Sequence, residues 1–193
     1  MSPDRFARLD AEQTELPGAA SVDGPIRWFC VNDFPQAYHL TFGTYGTRLH
    51  GDERGTVQRS MNKPGDPIIG KCEQWEQMET RLLKFPRVLL SLDQRLTTQE
   101  AIPAICSRGG WTFVACAARG DHVHTVLRAT SDGKAVRRWL KRWVGEILSS
   151  RWPMVAGATW WAECGSNKWV WTDDYLQNVY DYVEQQRTMN ENG

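Results

Sequence analysis

Apolar and polar positions divide this chain into short strands and amphipathic helices. Residues 37–45 (AYHLTFGTY) are aromatic and β-branched and predict a strand. Residues 46–70 are rich in Gly, Pro, Asp and Arg and predict a long loop or irregular hairpin; loops of that length tend to be functional or mobile. A short helix is predicted over 71–83 and an extended piece over 87–92. The next helix is expected over 98–107, capped by Thr97 or Thr98, shortened or kinked by Pro103, and ended by Gly109 and Gly110. Residues 111–118 (WTFVACAA) read as a buried strand, 119–121 (RGD) as a turn, and 122–129 (HVHTVLRA) as the second arm of a hairpin. Val136, Leu140, Trp143, Val144, Ile147 and Leu148 recur at helical spacing, which predicts a helix over 134–150 behind a cap at 131–133. Residues 160–171 look like another hairpin turning at 165–167. Thr172, Asp173 and Asp174 then cap a last helix over 175–188. The order fits an α+β fold, a βαββαβ sandwich with an antiparallel sheet.

Composition narrows the class. Residues 1–25 mix Pro, Gly, Asp, Glu and Ala without periodicity and read as a mobile N-terminal extension, leaving 26–193 as one domain. The N-terminus has no apolar h-region, and no apolar run approaches the roughly 18 residues of a membrane span, so neither a secretory signal nor a membrane partner is expected. The five cysteines are odd in number and widely spaced, with no C-x-x-C pair. That argues against a disulfide framework or zinc knuckle and fits a cytoplasmic location. The net charge is zero, 23 basic against 23 acidic residues, so a nucleic-acid partner is not announced by the total. The ten tryptophans could fill a core or stack on bases.

Charge placement and three local patterns suggest chemistry. His122 and His124 are i and i+2 on a strand, so both imidazoles share one face while Val123 points to the core. Such a pair is half of a metal site or a phosphate-polarising site, although a solvated strand face explains it equally well in isolation. Tyr182 and Gln186 are four apart on a helix and lie one above the other. They form a stripe at the edge of an apolar face set by Leu176, Val179, Tyr180 and Val183, so Tyr182 is the tyrosine free to reach a cleft and Tyr180 a packed aromatic. Lys134, Arg137, Arg138, Lys141 and Arg142 fall on one helix face. That stripe suits DNA binding along a phosphate backbone, or is simply solvated. Together these types suit phosphodiester chemistry: tyrosine is a nucleophile and a fair leaving group, and a divalent cation held by two histidines and an amide oxygen polarises the phosphate.

His122-Val123-His124 resembles the HUH motif, and Tyr182 with Gln186 resembles the Tyr-x-x-x-Gln helix of single-tyrosine HUH transposases. The strand Tyr38-His39-Leu40-Thr41-Phe42 is similar to the opening strand of the REP-associated tyrosine transposase branch and its insertion-sequence TnpA-like relatives. The resemblance covers roughly residues 37–187. It implies a ferredoxin-like palm with a C-terminal catalytic helix, and Mg²⁺ or Mn²⁺ bound by His122, His124 and Gln186. It also implies cleavage and rejoining of hairpin-bearing single-stranded DNA through a 5′-phosphotyrosine on Tyr182. Insertion-sequence members act as homodimers with the tyrosine helix in trans, whereas REP-associated members can be monomers. Asp121 stands where relatives often carry Asn. Two alternatives on the same fold are a metal-dependent nuclease that does not use the tyrosine and a domesticated DNA-hairpin-binding protein.

Overall fold

The computed structural model describes residues 34–56 and 68–188; the extension expected over 1–25 lies outside them. Four strands form one antiparallel sheet: β1 (Ala37–Gly43), β2 (Thr112–Ala118), β3 (His122–Arg128) and β4 (Ser166–Val170). Their spatial order is β2-β3-β1-β4. The helices among the described residues are α1 (Glu73–Leu82), α2 (Leu92–Arg108), α3 (Gly133–Arg151) and α4 (Asp173–Thr188). Strand order and alternation of elements define the ferredoxin-like βαββαβ sandwich, extended by α4 at its C-terminal end. None of these helices is long and apolar enough to cross a membrane.

Strand parity sorts the side chains into two unequal layers. Tyr38, Leu40, Phe42, Val123 and Leu127 face α2 and α3, where they meet Ile102, Ile105, Leu140, Trp143, Val144 and Leu148. Burying side chains of this size contributes roughly 1.5–3 kcal/mol each, so most of the fold's apolar stabilisation lies on this face. The opposite face is lined by small residues, Ala37, Ala115, Ala117, Val126 and Val170, and is covered by α4 through Val179 and Val183. A register shift between Phe113 and Ala115 lets β2 keep Phe113 with the large core while Ala115 and Ala117 floor the small one.

Three expectations need correction. The second helix starts at Leu92, not at residue 98: Ser91 and Gln94 form a reciprocal capping box, and Thr97 and Thr98 are buried inside the helix. Pro103 lies within it, on an exposed position, and the helix runs on to Arg108. Residues 160–171 do not form a hairpin. β4 pairs with β1, and Trp161 forms an isolated bridge with Thr44 further along the same edge. Both arms are recruited by β1, so residues 162–165 bulge between them. Lys141 Nζ holds that bulge by donating to the carbonyls of Ala162, Glu163 and Cys164. Finally, Tyr180 is not a core residue: it is 38% exposed, and Val179 and Val183 are the buried residues of α4.

Candidate active site

The small-residue face carries the candidate site. Cross-strand partners share a face, so the pairs Thr41–His124 and His39–Val126 place His39, Thr41 and His124 under α4. Ala117 is the β2 partner of His124 and leaves room above the imidazole. His122 lies two residues before His124 on the same face, and the two rings meet edge to face with centroids 4.7 Å apart. Val123 between them is fully buried on the other side. His39 stacks at a tilt on His124, 5.2 Å between centroids.

α4 delivers Tyr182 to this cluster. Thr172 Oγ1 accepts from the Tyr175 amide near the helix start, and Val179 and Val183 seat the helix on the sheet. The Tyr182 ring then lies edge to face against His124 at 5.3 Å and against His39 at 6.1 Å. It remains 43% exposed, so the ring is not sealed under the helix. Tyr180 and Tyr182 flank opposite edges of the apolar stripe, and Tyr182 occupies the histidine side. The helix docks on the sheet of its own chain. Gln186 follows one turn later and is half-buried; its backbone carbonyl accepts from Arg119, and its side chain makes no hydrogen bond among the described residues.

His124 and His39 are set up as neutral imidazoles. Burial, with the nearby His122 and His39, pushes His124 down to about 3, and burial with the Lys168 charge pushes His39 down to about 4. His124 Nδ1 lies 3.1 Å from His39 Nε2 and 3.0 Å from Thr41 Oγ1, which can take its proton in a hydrogen bond. His124 Nε2 is buried and has no hydrogen-bond partner. An orphaned buried nitrogen is costly unless something binds it. His122 Nδ1 lies 2.6 Å from Asp121 Oδ1, an arrangement that leaves Nε2 as the lone-pair nitrogen. The hydrogen bond from His122, reinforced by Arg54, holds the Asp121 carboxyl well below the usual carboxylate range.

A divalent cation fits this donor set in part. His122 and His124 can each turn Nε2 to a cation, as a metal site requires. Among the described residues no three His, Cys, Asp or Glu side chains form a ligand group. Remaining ligands would therefore come from an amide such as Gln186, from substrate oxygens and from water, as suits an ion that keeps several waters.

The basic stripe lies elsewhere. α3 packs on the large core, on the face of the sheet away from the histidines. Arg137 Nη1 donates to the Gly165 carbonyl and Lys141 to the 162–164 bulge, so both are engaged within the fold. Lys134, Arg138 and Arg142 are exposed, the last paired with Glu146 and set over Trp139. Sequence reasoning missed His39 as a site residue; parity within the β1 strand would have found it, since it alternates with Tyr38 and Leu40.

No protein-family model and no curated protein matches the chain. Among solved structures, it is similar to a Deinococcus radiodurans protein assigned as a transposase, with a TM-score of 0.40 and 15% identity over 86% of this chain and 98% of the other. It is also similar to a REP-associated tyrosine transposase bound to a REP hairpin, with a TM-score of 0.43 and 11% identity over 83% of this chain and 70% of the other. At these identities the likeness is one of fold.

Proposed function

We propose that this protein is a metal-dependent single-tyrosine DNA strand transferase of the REP-associated tyrosine transposase type, acting on hairpin-bearing single-stranded DNA. The observation that carries the reading is the Tyr182 ring set against His124, whose buried Nε2 has no partner. Tyr182 supplies the nucleophile: its oxygen forms a bond to phosphorus as the P–O3′ bond breaks, leaving a 5′-phosphotyrosine and a free 3′-OH. Reversal of the same step, with a 3′-OH attacking, rejoins the strand and frees the phenol. His122 and His124, with Gln186 as third ligand, would hold Mg²⁺ or Mn²⁺. When bound, such an ion polarises the phosphate and offsets developing negative charge. Thr41 and His39 orient His124, and Asp121 orients His122.

The test is incubation of the protein with labelled single-stranded hairpin DNA and Mn²⁺, followed by denaturing electrophoresis. An SDS-resistant adduct that needs the metal is expected. A metal-dependent nuclease that uses the histidines and not the tyrosine is the second reading. Cleavage without adduct, unchanged in Tyr182→Phe, would establish it in place of the first.

A further inference from the structure

The residues 49–56 follow β1 and pack beside the His122 end of β3. Two of their side chains, Asp52 and Arg54, which the strand-transferase reading does not use, lead to Asp121, which it does. Arg54 forks onto Asp52, Nε to Oδ1 at 2.9 Å and Nη2 to Oδ2 at 2.9 Å. Its remaining nitrogen, Nη1, donates to Asp121 Oδ2. The other Asp121 oxygen takes His122 Nδ1. Every nitrogen of the guanidinium is thus committed, and four residues stand in series: Asp52, Arg54, Asp121, His122.

We propose that the 51–56 loop is a clamp on His122, in which Arg54, locked by Asp52, fixes Asp121 so that the His122 proton stays on Nδ1 and the Nε2 lone pair faces the site. Arg54 and Asp52 are then positioning residues acting through Asp121. The proposal deepens the metal-site reading and rests on it only for its second readout.

Three features distinguish this from an ordinary surface ion pair, which contributes little. Asp52 is buried, 7% exposed, and its Oδ1 also accepts from the Arg54 amide, so the carboxylate is fixed by backbone as well as by the fork. Asp121 is held at its main chain too: the Thr44 amide donates to its carbonyl at 2.8 Å, and the hydroxyls of Thr44 and Thr47 lie 3.1 and 3.2 Å from it. The loop is itself braced by α1, a helix with no buried residue among those described. Gly51 accepts from the Cys72 amide at the start of α1, and Glu79 accepts from the His50 amide. At Gly51, with φ +89°, a Cβ would lie 2.3 Å from the Cys72 carbonyl oxygen, so this close approach needs glycine. A carboxylate that accepts only, held at both oxygens by donors, leaves His122 Nδ1 as the donor. Arginine suits the bridging role because its planar fork spans two acids at once, which an ammonium does not.

The test uses the full chain without metal, reading the ring nitrogens of His122 by long-range ¹H–¹⁵N correlation NMR, alongside a Mn²⁺ titration. Wild type is expected to show a single Nδ1–H tautomer. Arg54→Ala is expected to give a tautomer mixture at His122 and a Kd for Mn²⁺ raised roughly 10–100-fold, with Arg54→Lys between the two. Asp52→Asn breaks the fork while keeping the arginine charge, and is expected to move both readouts in the same direction; it decides the question if Arg54→Ala does not fold. An unchanged His122 tautomer in a folded variant overturns the clamp; a shifted tautomer with Mn²⁺ affinity within twofold of wild type supports the clamp and overturns the His122 metal-ligand reading. The tautomer shift without any DNA adduct in wild type supports the clamp and removes the phosphotyrosine reading; an adduct in wild type with no tautomer shift in the variants does the reverse.

Discussion

Val183→Ala isolates how firmly the helix of the proposed nucleophile is held. Val183 is fully buried under α4, with Val179 the only other buried residue of that helix. Removing two methyl groups costs about 1.6 kcal/mol in transfer free energy. Incomplete collapse above a floor already made of Ala115 and Ala117 adds about 1 kcal/mol. The better helix propensity of alanine returns about 0.5 kcal/mol. The net loss is about 2 kcal/mol. It falls on a layer that the large core does not support, so α4 should open without the rest of the sheet. Native-state hydrogen exchange is the assay. Amides of α4 should exchange about 30-fold faster, the factor for 2 kcal/mol, while those of Leu40 and Val126 at the sheet centre stay nearly constant. Acceleration of all these amides by one common factor would refute the reasoning, because α4 would then open only when the whole chain unfolds.

Tyr182→Phe should abolish the covalent DNA adduct while changing stability by no more than about 0.5 kcal/mol, since an exposed hydroxyl without a hydrogen bond is lost; Tyr180→Phe, on the far edge of the helix, should keep forming adduct, and an active Tyr182→Phe beside an inactive Tyr180→Phe would reverse the assignment. Replacing Arg138 and Arg142 together by alanine should weaken DNA binding across sequences and flatten the salt dependence by about one unit of slope per lost phosphate contact, measured by fluorescence anisotropy; an unchanged slope would mean a merely solvated face. Burial pushes the thiols of Cys106 and Cys116 up to about 12, so at pH 8 only roughly one in ten thousand is thiolate. Mass spectrometry after brief iodoacetamide treatment should find the exposed Cys164 alkylated and these two untouched; equal labelling would mean the core opens readily.

Local periodicity made the strands and the shared face of His122 and His124 legible, because alternation on a strand needs no knowledge of its partners. The same argument reached Tyr182 for an incomplete reason. An apolar helical stripe has two edges, Tyr180 lies on one and Tyr182 on the other, and only the docking on β2 and β3 decides which edge meets the histidines. The early start of α2 was hidden because its first turns expose Leu92 and Leu96, which weakens the apolar period, although Ser91 and Gln94 carried the capping signal. Residues 160–171 alternate as a hairpin would, yet both ends pair with β1, a choice made by a strand more than a hundred residues away. Arg54 and Asp52 gave no pattern at all, since their partner Asp121 is reached only through the folded loop.

Only Trp171 and Thr172 separate the end of β4 from the start of α4. Three chain steps span at most about 10 Å, and this sets a tether length for the start of the helix that carries Tyr182. A copy of this protein could lend Tyr182 to a neighbour's histidines only if α4, in its new place, still began within this reach of its own Val170, or if β4 left with the helix. In the second case β1 would lose the ladder from Ala37 to Thr41 and become a bare edge. The short connection thus ties the placement of the tyrosine to the outermost strand, and beyond that reach helix exchange between copies would be strand exchange as well.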